Sequence, residues 1–224
     1  MTIPIKIISK KDLKEKPNQE KVWDAISVPW EKYVVKRIPF VEDFLKDKKG
    51  NVLDLGCGSG RNMIPNKDIR YFGVDFSSQQ LKNAKKYAKS EKINVEFFRL
   101  KVSDLSFFKN EMFDFGLFIA TLHCLETKKE RINALKEFYR VLKKGAEGLI
   151  SVWNSEDKRF NRLKGDIYMD WKEKGISYLR YYFLYDKQEL IRLLEKNEFK
   201  ILEIYGVKEH DRFSKKNLII RVRK

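Results

Sequence analysis

Two carboxylates and a run of glycines carry the first chemical signal in this chain of 224 residues. In Asn51-Val-Leu-Asp-Leu-Gly-Cys-Gly-Ser-Gly60, the apolar Val52, Leu53 and Leu55 enclose one acid, Asp54, and run into glycines at alternate positions. An apolar run of this length suits a buried parallel strand, covered on both faces. Gly56, Gly58 and Gly60 then permit a tight turn in which backbone approaches a ligand with no side chain between. A second acid, Asp75, closes the next apolar run, Tyr71-Phe-Gly-Val-Asp75. An acid about 20 residues beyond such a turn ends the neighbouring strand and accepts the hydroxyls of a ribose. Glycine turn and ribose acid together point to a nucleoside-containing cofactor.

Detail narrows the cofactor. Dinucleotide sites read G-x-G-x-x-G, because a helix N-terminus must meet a pyrophosphate. Here the third glycine comes one residue early, and Asp54 stands two residues before the first. A carboxylate there repels a pyrophosphate and favours an ammonium group. S-adenosylmethionine (SAM) carries an ammonium, a sulfonium and no phosphate. The D-x-G-x-G-x-G form resembles motif I of the class I SAM-dependent methyltransferases. That resemblance implies SAM as cofactor, S-adenosylhomocysteine as product, and a Rossmann-like α/β fold. It also implies cofactor contacts from Asp54, Gly56, Cys57, Gly58 and Gly60, from Asp75 and Phe76, and from Ala120.

Other candidates lie in later loops. Asp104, in Leu100-Lys-Val-Ser-Asp104-Leu105, either accepts from an adenine amine while Val102 or Leu105 packs on the ring, or forms a turn. Ser103, Asp104 and Leu105 are the expected adenine contacts. His123, in Ile119-Ala-Thr-Leu-His-Cys124, stands where a transferable methyl would lie, either orienting substrate, acting as a base, or packing. Cys124, flanked by apolar residues, reads as an inert buried thiol. Arg180-Tyr-Tyr-Phe-Leu-Tyr185 offers aromatics to stack on an unpaired base and an arginine for a phosphate or carboxylate. It reads equally as a strand with alternate aromatics buried.

The elements that must position these groups alternate. Residues 22–45 form an N-terminal helical segment, broken by Pro29 and Pro39. Strands follow at 51–55, 71–75, 95–100, 113–120 and 148–153, with helices over 77–92 and 128–142, the latter ended by Lys143, Lys144 and Gly145. The alternation predicts a doubly wound, mostly parallel sheet with ligands at the carboxyl ends of its strands. Residues 61–70 are too short, with Pro65, for a full helix. The polar, basic stretch 155–177 is too long for an ordinary loop and is expected as an insertion over the active site. A last helix over 186–197 precedes a terminal antiparallel pair, 199–205 and 217–222, which completes a seven-stranded sheet. The chain is thus expected as a single domain: a cap to residue 50, a cofactor-binding core from 51 to 154, the insertion on the substrate side to 185, and the terminal elements.

Formal net charge is +16, from 48 basic and 32 acidic residues. The excess suits a polyanionic partner, or reflects a Lys- and Glu-rich surface. Two distant cysteines make a disulfide framework implausible. The first eight residues are too short for a span, and their order is wrong for a signal peptide, so a cytoplasmic protein without a membrane partner is expected.

Four segments extend the resemblance. Val22-Trp-Asp-Ala-Ile26 with Trp30 and Tyr33, Ser151-Val-Trp-Asn154, Arg180-Tyr-Tyr-Phe-Leu-Tyr185 with Glu189-Leu190, and Lys216-Asn-Leu-Ile219 are together similar to the eukaryotic and archaeal tRNA wobble-uridine carboxymethyl methyltransferases. Val34 stands where that family commonly has arginine, and His123-Cys124 replaces a His-His pair. The resemblance implies methyl transfer to the carboxylate of 5-carboxymethyluridine in the tRNA anticodon stem-loop. His123, Arg180, Tyr181 and Tyr182 become the catalytic candidates, with Trp30, Tyr33 and Asn154 against the substrate and Trp30 and Tyr33 closing over the cofactor. It also implies a small zinc-binding activator protein that adds a strand to the sheet edge and covers Phe97, Phe98, Phe107, Phe108 and Met112. A small-molecule O- or N-methyltransferase and a non-catalytic RNA-binding protein of the same fold are the alternatives.

Overall fold

The structure, a computed structural model, describes residues 6–13, 15–33, 36–160, 163–206, 211 and 213–224. Val34 and the Tyr33 side chain lie outside the described set. Seven strands form one sheet in the order β4-β3-β2-β5-β6-β10-β9. They are β2 (Gly50–Leu55), β3 (Ile69–Asp75), β4 (Val95–Arg99), β5 (Phe113–Ile119), β6 (Leu142–Trp153), β9 (Lys200–Ile204) and β10 (Asn217–Arg223). The first five run parallel, whereas β10 is antiparallel to both β6 and β9.

Each sheet face is covered because the helices are amphipathic. On one face, Phe40, Val41, Phe44 and Leu45 of α3 (Pro39–Leu45) and Leu81 of α4 (Ser78–Ser90) pack on Val52, Tyr71, Leu117 and Leu149. On the other, Leu135 and Phe138 of α5 (Lys128–Val141) and Leu190 and Leu194 of α6 (Lys187–Lys196) pack on Phe72, Phe118 and Ile150. The helix starts are written locally. Ser77 caps α4, Thr127 and Glu130 make a reciprocal capping box on α5, and Asp186 caps α6. No described helix is long and apolar enough to cross a membrane.

The prolines break the N-terminal segment as expected. Pro29 has no N–H to give to Ala25, four residues back, and stands in the first turn of α2 (Ser27–Tyr33). The break falls at Ile26, after α1 (Gln19–Ala25), and Pro39 opens α3. Lys143 and Lys144 do not end α5, because the chain turns directly into β6 at Leu142, which pairs with Phe113 ahead of a register shift. The insertion expected over 155–177 has regular structure. It enters a hairpin of β7 (Gly165–Glu173) and β8 (Ile176–Leu184), joined by Lys174 and Gly175 at φ 48° and 81°. Two positive φ values in a two-residue connection match the twist of the strands. The N-terminal β1 (Ile7–Ser9) pairs with β7, giving a separate three-stranded sheet.

Candidate active site

β2 delivers its acid and its turn to one point. Asp54 is fully buried, takes a long 3.5 Å hydrogen bond from Asn62 Nδ2 on Oδ1, and leaves Oδ2 without a partner. Burial, with a smaller push from Asp75, raises its pKa to about 7, against the hydrogen bond from Asn62 and the nearby Arg61 charge. The glycines do different work. A Cβ on Gly56 would stand 2.2 Å from Thr121 Cγ2, so that residue is small because β5 crowds it, and Thr121 Oγ1 donates to its carbonyl at 3.3 Å. A Cβ on Gly58 meets only Gln80 Oε1, at 3.9 Å, so its bareness faces open space.

Asp75 closes the other side. Its two oxygens accept from Gly58 N and Ser77 N, each at 2.9 Å. Burial lifts its pKa to about 6, while these backbone donors pull it down. A carboxylate has about four acceptor sites, so room for ribose hydroxyls remains. Gln80 is buried, and its Oε1 is also unpartnered, beside the open side of Gly58. Ala120 follows β5 at φ 52°, an uncommon value for a residue with a Cβ, held by Ser151 through Ala120 N. Two orphaned buried oxygens and a bare backbone bend therefore converge on one crevice. They fit an ammonium and a hydroxyl-bearing sugar.

The N-terminal helices clasp this crevice. Asp24 of α1 accepts from Ser77 Oγ at 2.5 Å and from Gln79 N at 3.2 Å, so one helix supplies an extra cap to another. Beyond it, Trp23, Trp30 of α2 and Trp171 of β7 stack edge-on, with centroids 5.2 and 5.7 Å apart. Trp30 and Trp171, with Tyr182, surround Arg180 of β8, only 5% exposed, whose guanidinium lies 5.2 Å from the Trp30 ring, 5.1 Å from Trp171 and 5.5 Å from Tyr182. Arg180 Nη1 donates to the Tyr182 hydroxyl at 3.0 Å, and Nε has no partner. No carboxylate of the described residues forms an ion pair with it.

A family model described as a methyltransferase domain matches residues 52–145, from β2 into β6. A methyltransferase of Encephalitozoon cuniculi is 32% identical over 170 residues, covering 73% of this chain and 76% of its own. The tRNA (carboxymethyluridine(34)-5-O)-methyltransferase of Schizosaccharomyces pombe is 30% identical over 211 residues, covering 81% and 88%. The chain belongs to this family of SAM-dependent methyltransferases. A chain from the complex of the Haloferax volcanii Trm112 methyltransferase activator with a methyltransferase shares the fold at TM-score 0.69 and 17% identity, covering 93% of this chain and 99% of that one.

Within the methyltransferase, the expected site residues separate. Arg180 and Tyr182 share one face of β8, and Tyr181 occupies the other. The Tyr181 hydroxyl donates to Asp166 and accepts from Arg131 Nη1, the latter at 3.0 Å. That tyrosine therefore ties the hairpin to α5 and does not face Arg180. His123 is 1% exposed, stacked 5.2 Å from Trp153 and 5.5 Å from Tyr182. Burial first, and then the Arg159 charge, lower its pKa to about 3. It is therefore neutral and only weakly basic in the working range, and its buried Nδ1 has no hydrogen-bond partner among the described residues. Cys124 is held protonated, its pKa pushed up to about 12 by burial, with Arg180 and Asp75 both close enough to act on it. That thiol contacts Ala120 O at 3.6 Å.

Asp104 is exposed and Asp104 Oδ1 accepts from Ser106 N at 3.2 Å, which is the turn reading. Leu105 is buried and its N–H is taken by Glu137, and Phe76 O accepts from Arg99. Asn154 Oδ1 accepts from Glu156 N at 3.0 Å, again a turn. Asp24, Asn62 and Gln80 escape sequence reasoning. Each is an ordinary polar residue on a helix or turn, and only its partner, up to 55 residues away, reveals it.

Proposed function

We propose that this methyltransferase acts on tRNA, transferring a methyl group from SAM to the carboxylate of 5-carboxymethyluridine at the wobble position. One observation carries the reading: a buried arginine, caged by three aromatic rings, has an unused Nε and no acid paired with it among the described residues. Such a guanidinium lacks the one partner that a substrate carboxylate would supply. The Schizosaccharomyces pombe relative's name gives the same chemistry.

The residues suit that reaction. Asp54 would hold the ammonium, Asp75 and Gln80 the ribose, and Gly58 the backbone contact. Bound there, SAM supplies an electrophilic methyl on its sulfonium. A carboxylate is already anionic at neutral pH, so a site without a titrating histidine suffices. Arg180 and the Tyr182 hydroxyl would fix the carboxylate oxygen, and Trp30 and Trp171 would exclude water from it. Positioning of this kind supplies roughly 7–11 kcal/mol of a barrier. Methylation assays on carboxymethylated tRNA test it: Arg180→Gln should lower kcat/KM by at least about 100-fold and leave SAM affinity unchanged, as a lost charged hydrogen bond in a dry site demands. An unimpaired variant would refute the role.

A partner at the sheet edge belongs to the same proposal. Among the described residues β4 pairs only with β3, and beside it Phe107 is 67% exposed while Phe97 and Phe98 are half-buried. Phe108, by contrast, is buried in the core, and Met112 packs against it. A small zinc-binding activator adding a strand to β4 would cover the exposed ring. The Haloferax volcanii complex supports the idea by its fold.

A further inference from the structure

Helix α4 divides its residues by charge with unusual sharpness. Leu81, Ala84 and Ala88, with Gln80 and Asn83, face inward and are buried. Lys82, Lys85, Lys86 and Lys89 all face out and are exposed. At i, i+3, i+4 and i+7 they form one stripe, and Lys92 continues it beyond the helix end. The helix contains no acid. Acids alongside are already engaged: Glu91 by Arg37, Glu96 by Arg70, and Glu20 by Arg99 at 2.6 Å.

Local stability does not explain the stripe. Like charges at these spacings oppose helix formation, and lysines near a helix N-terminus oppose its dipole. Only Lys89 lies in the last turn, where a cation helps. Lys85, Lys89 and Lys92 also rim an open surface depression floored by Ala88, Ile93, Val95 and Phe97. The stripe starts within two residues of Gln80 and so leads away from the cofactor crevice along the outside of the molecule.

We propose that the outer face of α4 is a docking surface for the phosphate backbone of the substrate tRNA. This rests on the reading of the substrate as tRNA, and commits the partner of these lysines to RNA phosphates. At about 1.5 Å rise per residue, Lys82 to Lys89 reach roughly 10 Å along the helix, and counterion release at such a row adds affinity without reading sequence.

The test is a combined Lys82→Gln, Lys85→Gln, Lys86→Gln and Lys89→Gln variant of the full chain. All four side chains are exposed, so the fold should persist, and calorimetry with SAM verifies it. Affinity for unmodified tRNA is measured between 50 and 200 mM salt, the interval over which such contacts weaken most visibly. The expected result is at least a tenfold loss at low salt and a log–log salt slope smaller by about 2–4, since each phosphate contact contributes about 0.7–0.9. An unchanged slope in a variant that still binds SAM, with wild-type protein binding tRNA, overturns the surface and leaves the tRNA reading standing. Wild-type protein that binds no tRNA at low salt overturns both. Loss of binding to an acidic protein partner with tRNA binding intact would also overturn it, by giving these lysines to that partner.

Discussion

Asp54 sets the pH behaviour of the methyltransferase. Its folded pKa, near 7, lies above the ordinary carboxylate value, so the folded state binds a proton more readily than the unfolded chain. Stability without ligand should therefore rise as pH falls from about 7 towards 4, with Asp75, raised to about 6, adding to the same trend; Asp54→Asn should remove the larger part of it and stabilise the protein at pH 8 by about 1–3 kcal/mol. Thermal melts across pH 5–8 check the sign. SAM affinity should move the other way, because an ammonium needs the ionised acid: below pH 7 it should drop by up to about tenfold per pH unit. Calorimetry across that range decides, and a flat profile would put the ammonium elsewhere. His123, neutral to about pH 3, should contribute no limb near 6.5 to the kcat profile. Asp54, Asp75 and the glycines were legible in the sequence because their spacing is local. The direction of the Tyr181 ring was not: a strand with both faces covered buries consecutive residues, and only the neighbours Arg131 and Trp30 say which face is which.

At the scale of elements, the glycine turn is held from β5 as much as from its own strand. Gly56→Ala would place a carbon against Thr121 at a φ of 68°, so a loss of about 2 kcal/mol or more is expected in denaturant melts, with SAM binding weakened in step. The α1 helix is clasped to α4 through Asp24. Asp24→Ala should cost about 1 kcal/mol as a lost cap, speed amide exchange in α1 while leaving β2 protected, and weaken SAM binding. Strand and helix order could be read from periodicity, since the core elements alternate. The β1–β7–β8 sheet could not, because a three-residue strand has no period and its partner lies about 160 residues away in the pairing of Ile7 with Met169.

The whole molecule places a cofactor crevice, a caged arginine and a basic helix around one end of a mostly parallel sheet. Composition alone could not separate a polyanion-binding surface from a generally basic one. At α4 the neighbouring acids are paired with arginines and not with the lysines, which is the ground for the docking surface proposed there. The account's centre is the caged guanidinium waiting for a carboxylate. Its most direct test is mass spectrometry of nucleosides from carboxymethylated tRNA incubated with SAM and the protein, with and without a candidate activator. The account predicts a gain of one methyl on 5-carboxymethyluridine, lost again in mild alkali as an ester must be, and absent with Arg180→Gln. Methylation at a ring carbon or nitrogen, or an ester formed equally well by the Arg180→Gln protein, would contradict it.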